Sequence, residues 1–212
     1  MTLETKKLYN FAFLLALITI FYNMVEGLVS TYFGYEDESL ALFGFGVDSF
    51  IEVISGLGIA HMVIRIRRNP KSNRDDFERT ALRITGVAFY LLVAGLVSSG
   101  IYNIWIGHKP ETTFWGVVIS IISIITMWLL IYGKTSVGKK LGSEAILADA
   151  ECTRVCLYMS IILLLSSGIY ELSNIAYIDS IGALGLSYFA FTEGKECFEK
   201  AKSDKICGCG HD

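Results

Sequence analysis

Long apolar stretches alternate with short polar connectors along the whole chain. A transmembrane helix needs about 20 mostly apolar residues. Six stretches meet or approach that length: 8–33, 39–64, 80–106, 113–133, 144–171 and 174–194. The first carries Asn23 and Glu26 and lacks a small-residue cleavage site after it, so it is predicted to be a span and not a signal peptide. The pattern predicts an all-α membrane protein with six transmembrane helices.

Basic residues mark one side of this predicted bundle. They cluster before the first span, in the second connector, in the fourth connector and after the sixth span. Lys134 is counted with the fourth connector, and the opposite connectors hold Lys109 alone. Because lysine and arginine near span ends favour the cytoplasmic side, both termini are predicted to be cytoplasmic. Residues 35–38 then form an acidic mouth on the far side, which either concentrates cations or only keeps the loop soluble.

Composition narrows the class further. Of 212 residues, 53% are hydrophobic and only 2 are proline, which suits long helices and not a barrel with many turns. The formal net charge of −3, without an extended basic face, argues against a nucleic-acid partner. No phosphate-binding glycine loop is present. We therefore expect a gradient-driven transporter and not an enzyme, with no cofactor beyond the ion it carries.

The second and fifth predicted spans share one informative register. When residues 39–42 are laid on residues 143–146, Asp48 falls on Cys152 and Glu52 falls on Cys156. The members of each pair are four residues apart and therefore project from one face of a helix. A carboxylate in the bilayer centre costs at least about 2.5 kcal/mol, so two on one face require a partner.

A divalent cation would be a suitable partner. It neutralises both carboxylates, and two thiolates complete the four-coordinate shell that zinc-like ions prefer. The register thus predicts a metal site of Asp48, Glu52, Cys152 and Cys156. Alternatives remain open: the carboxylates pair with Arg154 or Arg83, the cysteines are small buried hydrophobes, or the two thiols form a redox couple.

At these residues the chain resembles the cation diffusion facilitators. That family carries Asp-x-x-x-Asp after a Ser-x-x-Leu stretch in its second span and Ala-Asp-x-x-His-x-x-x-Asp in its fifth. The counterparts here are residues 39–42 with Asp48 and Glu52, and residues 148–156 with Cys152 and Cys156. Asn23, Glu26 and residues 179–183 extend the likeness over about residues 8–200.

The resemblance implies a six-span bundle that exports zinc or related divalent metals from the cytoplasm. Two departures from the family pattern matter. Cysteine stands at the fifth-span His and Asp positions, and thiolates favour softer ions, so cadmium and mercury join zinc, cobalt and iron as candidates. The usual C-terminal cytoplasmic domain, through which the family dimerises and is regulated, is not expected here. A homodimer formed through small residues of the third span is left open.

Proton exchange follows from the ligands themselves. Thiols and carboxylates must lose protons to bind metal, so protons are the expected counter-ion. Asp149 is predicted to belong to the inner path or to the shell behind the ligands, or else to an ion pair. Glu26 and Asp179 either line an exit path or only hydrogen-bond between helices.

The last residues suggest a second metal-binding element. Cys207, Cys209 and His211 alternate with glycine, a spacing that suits either chelation of a soft metal or a disordered tail. The chain is accordingly divided into a transport domain, 1–200, and a short cytoplasmic tail, 201–212. The expected location is the bilayer of the bacterial inner membrane. A metal-binding sensor that does not transport is the remaining alternative.

Overall fold

The computed structural model describes residues 3–69 and 76–202. Within these ranges the chain is entirely helical and contains no strand. Its helices are α1 (Leu3–Glu36), α2 (Leu40–Arg68), α3 (Asp76–Ile106), α4 (Phe114–Leu141), α5 (Glu144–Ser173) and α6 (Tyr177–Lys202). The predicted all-α fold is confirmed. The tail ligands Cys207, Cys209 and His211 lie outside the described residues.

Five of these helices, α1 to α5, contain segments long and apolar enough to cross a membrane. The sixth falls short because glycine, serine and the acidic residues Asp179 and Glu193 dilute its apolar positions. The described part of the chain is therefore an integral membrane protein with at least five candidate spans. The crossing by α6 stays a prediction.

Short connectors keep consecutive helices antiparallel. Between α4 and α5 the connector is Gly142–Ser143, and Gly142 has a left-handed backbone with φ of 58°. Asn174 ends α5 in the same conformation, with φ of 54°. Glycine and asparagine adopt this conformation at low cost and commonly terminate helices. As a result, the starts of α1, α3 and α5 meet the ends of α2, α4 and α6 at one end of the bundle.

Helix α2 lies at the centre of the bundle and contacts all five other helices. The most extensive contacts pair α1 with α2, α3 with α6, and α4 with α5. One apolar cluster is centred on Leu42, Phe45 and Leu163 and extends to α3 and α6, and a second joins Leu15, Val63 and other residues of α1, α2 and α4. The helix with the carboxylate pair is thus the most enclosed one.

Helices α1 and α2 approach each other closely through glycine. A Cβ atom at Gly34 would lie 2.4 Å from the backbone nitrogen of Phe43, and one at Gly46 would lie 2.6 Å from that of Thr31. Small residues let backbones approach in this way inside membranes, where packing is a main source of helix association. This close approach holds α1 against the helix that carries Asp48 and Glu52.

The small residues of α3 serve a different contact from the one the sequence suggested. Gly86 packs against Phe198 and Gly100 against Leu184, both on α6, while a Cβ at Gly95 would meet nothing within 4 Å. Gly86 and Gly100 are therefore used for helix packing inside the chain. Gly95 and Ser98 remain exposed, and a homodimer through the third span stays a prediction.

We predict that Gly34→Ala destabilises the bundle by about 1–3 kcal/mol, because the new methyl group meets backbone atoms of α2 that cannot move aside. Thermal unfolding of the purified protein in detergent measures the loss. Gly95→Ala is the matched control, since it places the same methyl group on a helix in open space. Equal unfolding midpoints for the two variants would contradict the close contact between α1 and α2.

Candidate metal-transport site

A cavity of about 90 Å³ lies inside the bundle and is lined by residues of all six helices. It runs from Asn23 and Asp48, near the middle of the bundle, to Glu78 and Lys200, at the end where α3 starts and α6 ends. A single water requires roughly 10–15 Å³. The cavity therefore has room for a cation that keeps part of its water shell. Asp48, Glu52, Cys152 and Cys156 all line it.

The carboxylate pair of α2 is deeply buried. Asp48 is 2% exposed, and its Oδ1 atom has no hydrogen-bond partner within the described part of the chain. Glu52 is better satisfied: its Oε2 accepts a hydrogen bond from Asn23 Nδ2 at 2.6 Å, and its Oε1 accepts one from the Cys156 thiol at 2.5 Å. A buried acceptor without a partner is costly. The free oxygen of Asp48 is consequently the feature that calls for a ligand.

The two thiols of α5 are free and have different neighbours. Cys156 contacts Glu52, whereas Cys152 Sγ lies 3.4 Å from the ammonium group of Lys200. A redox couple would need the two sulfurs to face each other. The separate partners of Cys152 and Cys156 therefore favour the use of the thiols as individual ligands over the redox alternative.

The four predicted ligands line one cavity without surrounding a common point. In residues 3–69 and 76–202, no three histidine, cysteine, aspartate or glutamate side chains are grouped closely enough to hold a metal ion. Carboxylate and thiol donors are nevertheless the chemistry that transition metals use. The residues fit a metal cargo in donor type and cavity size. For Cys152 to bind an ion, its thiol would have to leave the Lys200 ammonium group, 3.4 Å away.

The arginine alternative for the carboxylates is not found. Arg154 pairs with Glu151 on its own helix, at 2.5 Å, and both side chains are more than 40% exposed. Among the described residues, neither Asp48 nor Glu52 forms an ion pair with an arginine. Arginine therefore does not neutralise the carboxylate pair in the described part of the chain.

Asp149 forms an ion pair, which is one of its two expected roles. Lys134 Nζ lies 3.0 Å from Asp149 Oδ1 and 2.9 Å from the hydroxyl of Thr153. Lys134 is 2% exposed and sits inside α4, so its assignment to a basic connector is wrong. Both Lys134 and Asp149 line the cavity, beside the predicted ligands. The pair therefore places balanced charge on the path between the bundle end and Asp48.

Glu26 and Asp179 take part in hydrogen bonds between helices. Glu26 accepts from Tyr22 at 2.8 Å and from Ser49 of α2 at 3.0 Å. Asp179 of α6 accepts from the Ser39 hydroxyl at 2.6 Å and from the Leu40 backbone N–H at 2.8 Å. A carboxylate at this position satisfies the free N–H groups at the start of α2. Neither residue lines the cavity, and both form the expected hydrogen bonds between helices; their place on an exit path stays a prediction.

Three α6 residues near the site escaped the sequence interpretation. Glu193, Cys197 and Lys200 line the cavity, and Glu193 and Cys197 are four residues apart like the two predicted ligand pairs. That spacing was the available signal. It was passed over because Cys197 and Lys200 lie beyond residue 194, where the sixth span was predicted to end. Glu193 is 9% exposed and forms no hydrogen bond or ion pair with another described residue.

The acidic mouth lies at the opposite end of the bundle and gathers more carboxylates than its own loop supplies. The Glu111 backbone N–H donates to the Asp37 carbonyl oxygen at 2.9 Å. Burial, together with the negative charges of Glu111, Glu36 and Glu171, raises the pKa of Asp37. Asp37 at this end of the protein therefore holds a proton more tightly than an isolated aspartate would.

Fold and cavity together define a helical membrane protein with an ionisable, thiol-containing interior, which is the architecture of an ion carrier. The sequence matches the cation efflux transmembrane domain over residues 12–204. The chain therefore belongs to the cation efflux family of membrane transporters, as the resemblance implied.

Two curated relatives match shorter parts of the chain. Transmembrane protein 163 of Xenopus laevis is 32% identical over 148 residues, which cover 69% of this chain and 52% of the relative. An uncharacterized transporter of Methanocaldococcus jannaschii is 24% identical over 173 residues, which cover 79% of this chain and 60% of the relative. The matched segments thus span only about half to three fifths of these relatives.

We predict that Lys134→Met destabilises the protein by about 3 kcal/mol, because Asp149 is left without its partner in a mostly buried position. The double variant Lys134→Met/Asp149→Asn should recover much of that loss, since it removes both charges together. Thermal unfolding in detergent compares the three proteins. A double variant as unstable as the single one would show that the ion pair contributes nothing specific.

Proposed function

We propose that the protein exports a divalent transition or heavy metal cation from the cytoplasm in exchange for protons. The observation that carries the proposal is the unpartnered Oδ1 of buried Asp48 in a cavity also lined by Glu52, Cys152 and Cys156. A buried anion with an open acceptor is unfavourable unless a cation or a proton occupies it. Membership of the cation efflux family supports the choice of a cation as the cargo.

Coupling arises because metal and protons compete for the same atoms. In the structure the Cys156 thiol donates a hydrogen bond to Glu52, so the thiol proton lies between the sulfur and oxygen donors of the site. A metal ion that binds sulfur and oxygen must displace that proton. Protons arriving from the opposite side would reverse the exchange and release the ion. Two-sided competition of this kind converts a proton gradient into metal export.

The course of the cavity supports entry from the end of the bundle where α1 starts and α6 ends. Arg67 of α2 contacts Asn10 of α1, and Arg79 of α3 contacts the Ala201 carbonyl oxygen of α6, so these helix ends share one face of the bundle. The positive-inside rule assigns this face to the cytoplasm. Metal would then enter past Lys200 and Lys134, reach Asp48, and leave toward the acidic mouth when the helices rearrange.

The donor set favours soft and borderline ions. Two thiols beside two carboxylates suit cadmium and zinc best, with mercury, cobalt and iron as further candidates. Magnesium and calcium prefer an all-oxygen shell and are not expected as cargo. The proposed setting is the bacterial inner membrane, and a homodimer is proposed as the working unit.

Asp48→Asn and Cys156→Ser should each abolish metal-driven proton flux in reconstituted vesicles, because each variant removes one donor of the competing site. Proton movement is followed with a pH-sensitive dye trapped inside the vesicles after zinc or cadmium is added outside. Glu151→Gln is the matched control, since it neutralises an exposed carboxylate of α5 that does not line the cavity.

The flux experiment also separates the competing functions. Full flux in both site variants would overturn the site, and metal binding without flux in the parent would identify a sensor. For either conclusion, the control variant must match the parent in metal transport or, where the parent does not transport, in metal binding.

Ligand softness gives a second prediction. The double variant Cys152→His/Cys156→Asp replaces both sulfur donors by harder ones, so its preference for zinc over cadmium should exceed that of the parent. Competitive binding of the two metals to the purified proteins measures the ratio. An unchanged ratio would mean that the thiols do not bind the cargo.

A further inference from the structure

We propose that Asn23 of α1 is a cargo ligand, so that three helices and not two hold the metal ion. The inference rests on the proposed function and extends it. Asn23 is completely buried, at 0% exposure, and lines the same cavity as the four predicted ligands. It lies on a helix that supplies none of those ligands.

The orientation of the Asn23 amide follows from its hydrogen bond. Its Nδ2 atom donates to Glu52 Oε2 at 2.6 Å. With Glu52 ionised, the reverse orientation would set the amide oxygen against a carboxylate oxygen, and neither atom could donate. The nitrogen therefore faces Glu52, and the amide oxygen points elsewhere.

The oxygen of that amide is unsatisfied. Asn23 Oδ1 is buried and has no hydrogen-bond partner in the described residues, as is true of Asp48 Oδ1. A purely structural asparagine between helices would have both ends of its amide paired, because an unmade bond costs about 1–3 kcal/mol. Two open oxygen acceptors on the walls of one cavity, on α1 and α2, are instead what a cation needs.

A neutral oxygen has a specific effect on such a site. It adds a donor without adding charge or a proton to be displaced, so it raises the coordination number and leaves the proton balance of the exchange unchanged. Because Glu52 is bound by Asn23 on one side and by Cys156 on the other, α1, α2 and α5 all connect at this carboxylate. Release of the ion then depends on all three helices.

Three variants of the full chain test the proposal by titration with cadmium, zinc and cobalt in detergent. Asn23→Leu removes both polar ends of the side chain and should weaken binding by about tenfold or more. Asn23→Asp keeps an oxygen donor but cannot donate to Glu52, so it should bind at least as tightly as the parent. Ser30→Ala is the matched control, because Ser30 is also buried on α1 without a hydrogen-bond partner but does not line the cavity.

The cobalt absorption spectrum adds a readout that depends on coordination number. Asn23→Leu should change the intensity of the visible bands, and Ser30→Ala should not. Parent-like affinity in Asn23→Leu would overturn the role of Asn23 as a ligand. Equal weakening of metal binding in Asn23→Leu and Asn23→Asp would overturn it too, because Asn23 would then only position Glu52. A parent protein that binds none of the metals would instead overturn the proposed function itself.

Discussion

The cost of burying charge inside an apolar bundle governs the arrangement of this protein. Most of its buried ionisable groups are matched by a neighbour. Lys134 meets Asp149, and the Arg65 guanidinium binds Glu78 through two nitrogens, at 2.6 and 2.8 Å. Asp48 departs from this rule, since one of its oxygens is buried without a partner. Because those charges are paired, the open acceptor of Asp48 in the cavity is a group that needs a ligand.

Helix α2, which carries Asp48, is held in place by contacts with several other helices. Asp179 of α6 caps its first turn, the ion pair between Arg65 and Glu78 ties its last turn to α3, and glycine contacts hold α1 along its side. The carboxylate pair lies between these anchors. A movement that opens the site to either side of the membrane must therefore move α2 relative to several neighbours at once, which suits a transporter in which site exposure and helix movement are coupled.

Much of this could be read from the sequence, because hydrophobic length and helical spacing are local properties. Apolar runs predicted the helices, and the four-residue spacing put Asp48 with Glu52 and Cys152 with Cys156 on two helices that the structure places around one cavity. Lys134 was misassigned because a lysine near the end of an apolar run looks the same whether it reaches water or a buried aspartate. Its partner, Asp149, is contributed by the next helix.

The amino-acid sequence by itself determined the class of the protein, since only long helices can satisfy the backbone hydrogen bonds of so apolar a chain within a bilayer. Tertiary structure alone decided which polar groups are paired and which stay open. Asn23, Glu193 and Lys200 join the cavity because α1 and α6 pack beside α2 and α5, and no spacing within one helix reveals that contact. Pairing depends on distances between helices, and those distances follow from the packing of the whole bundle.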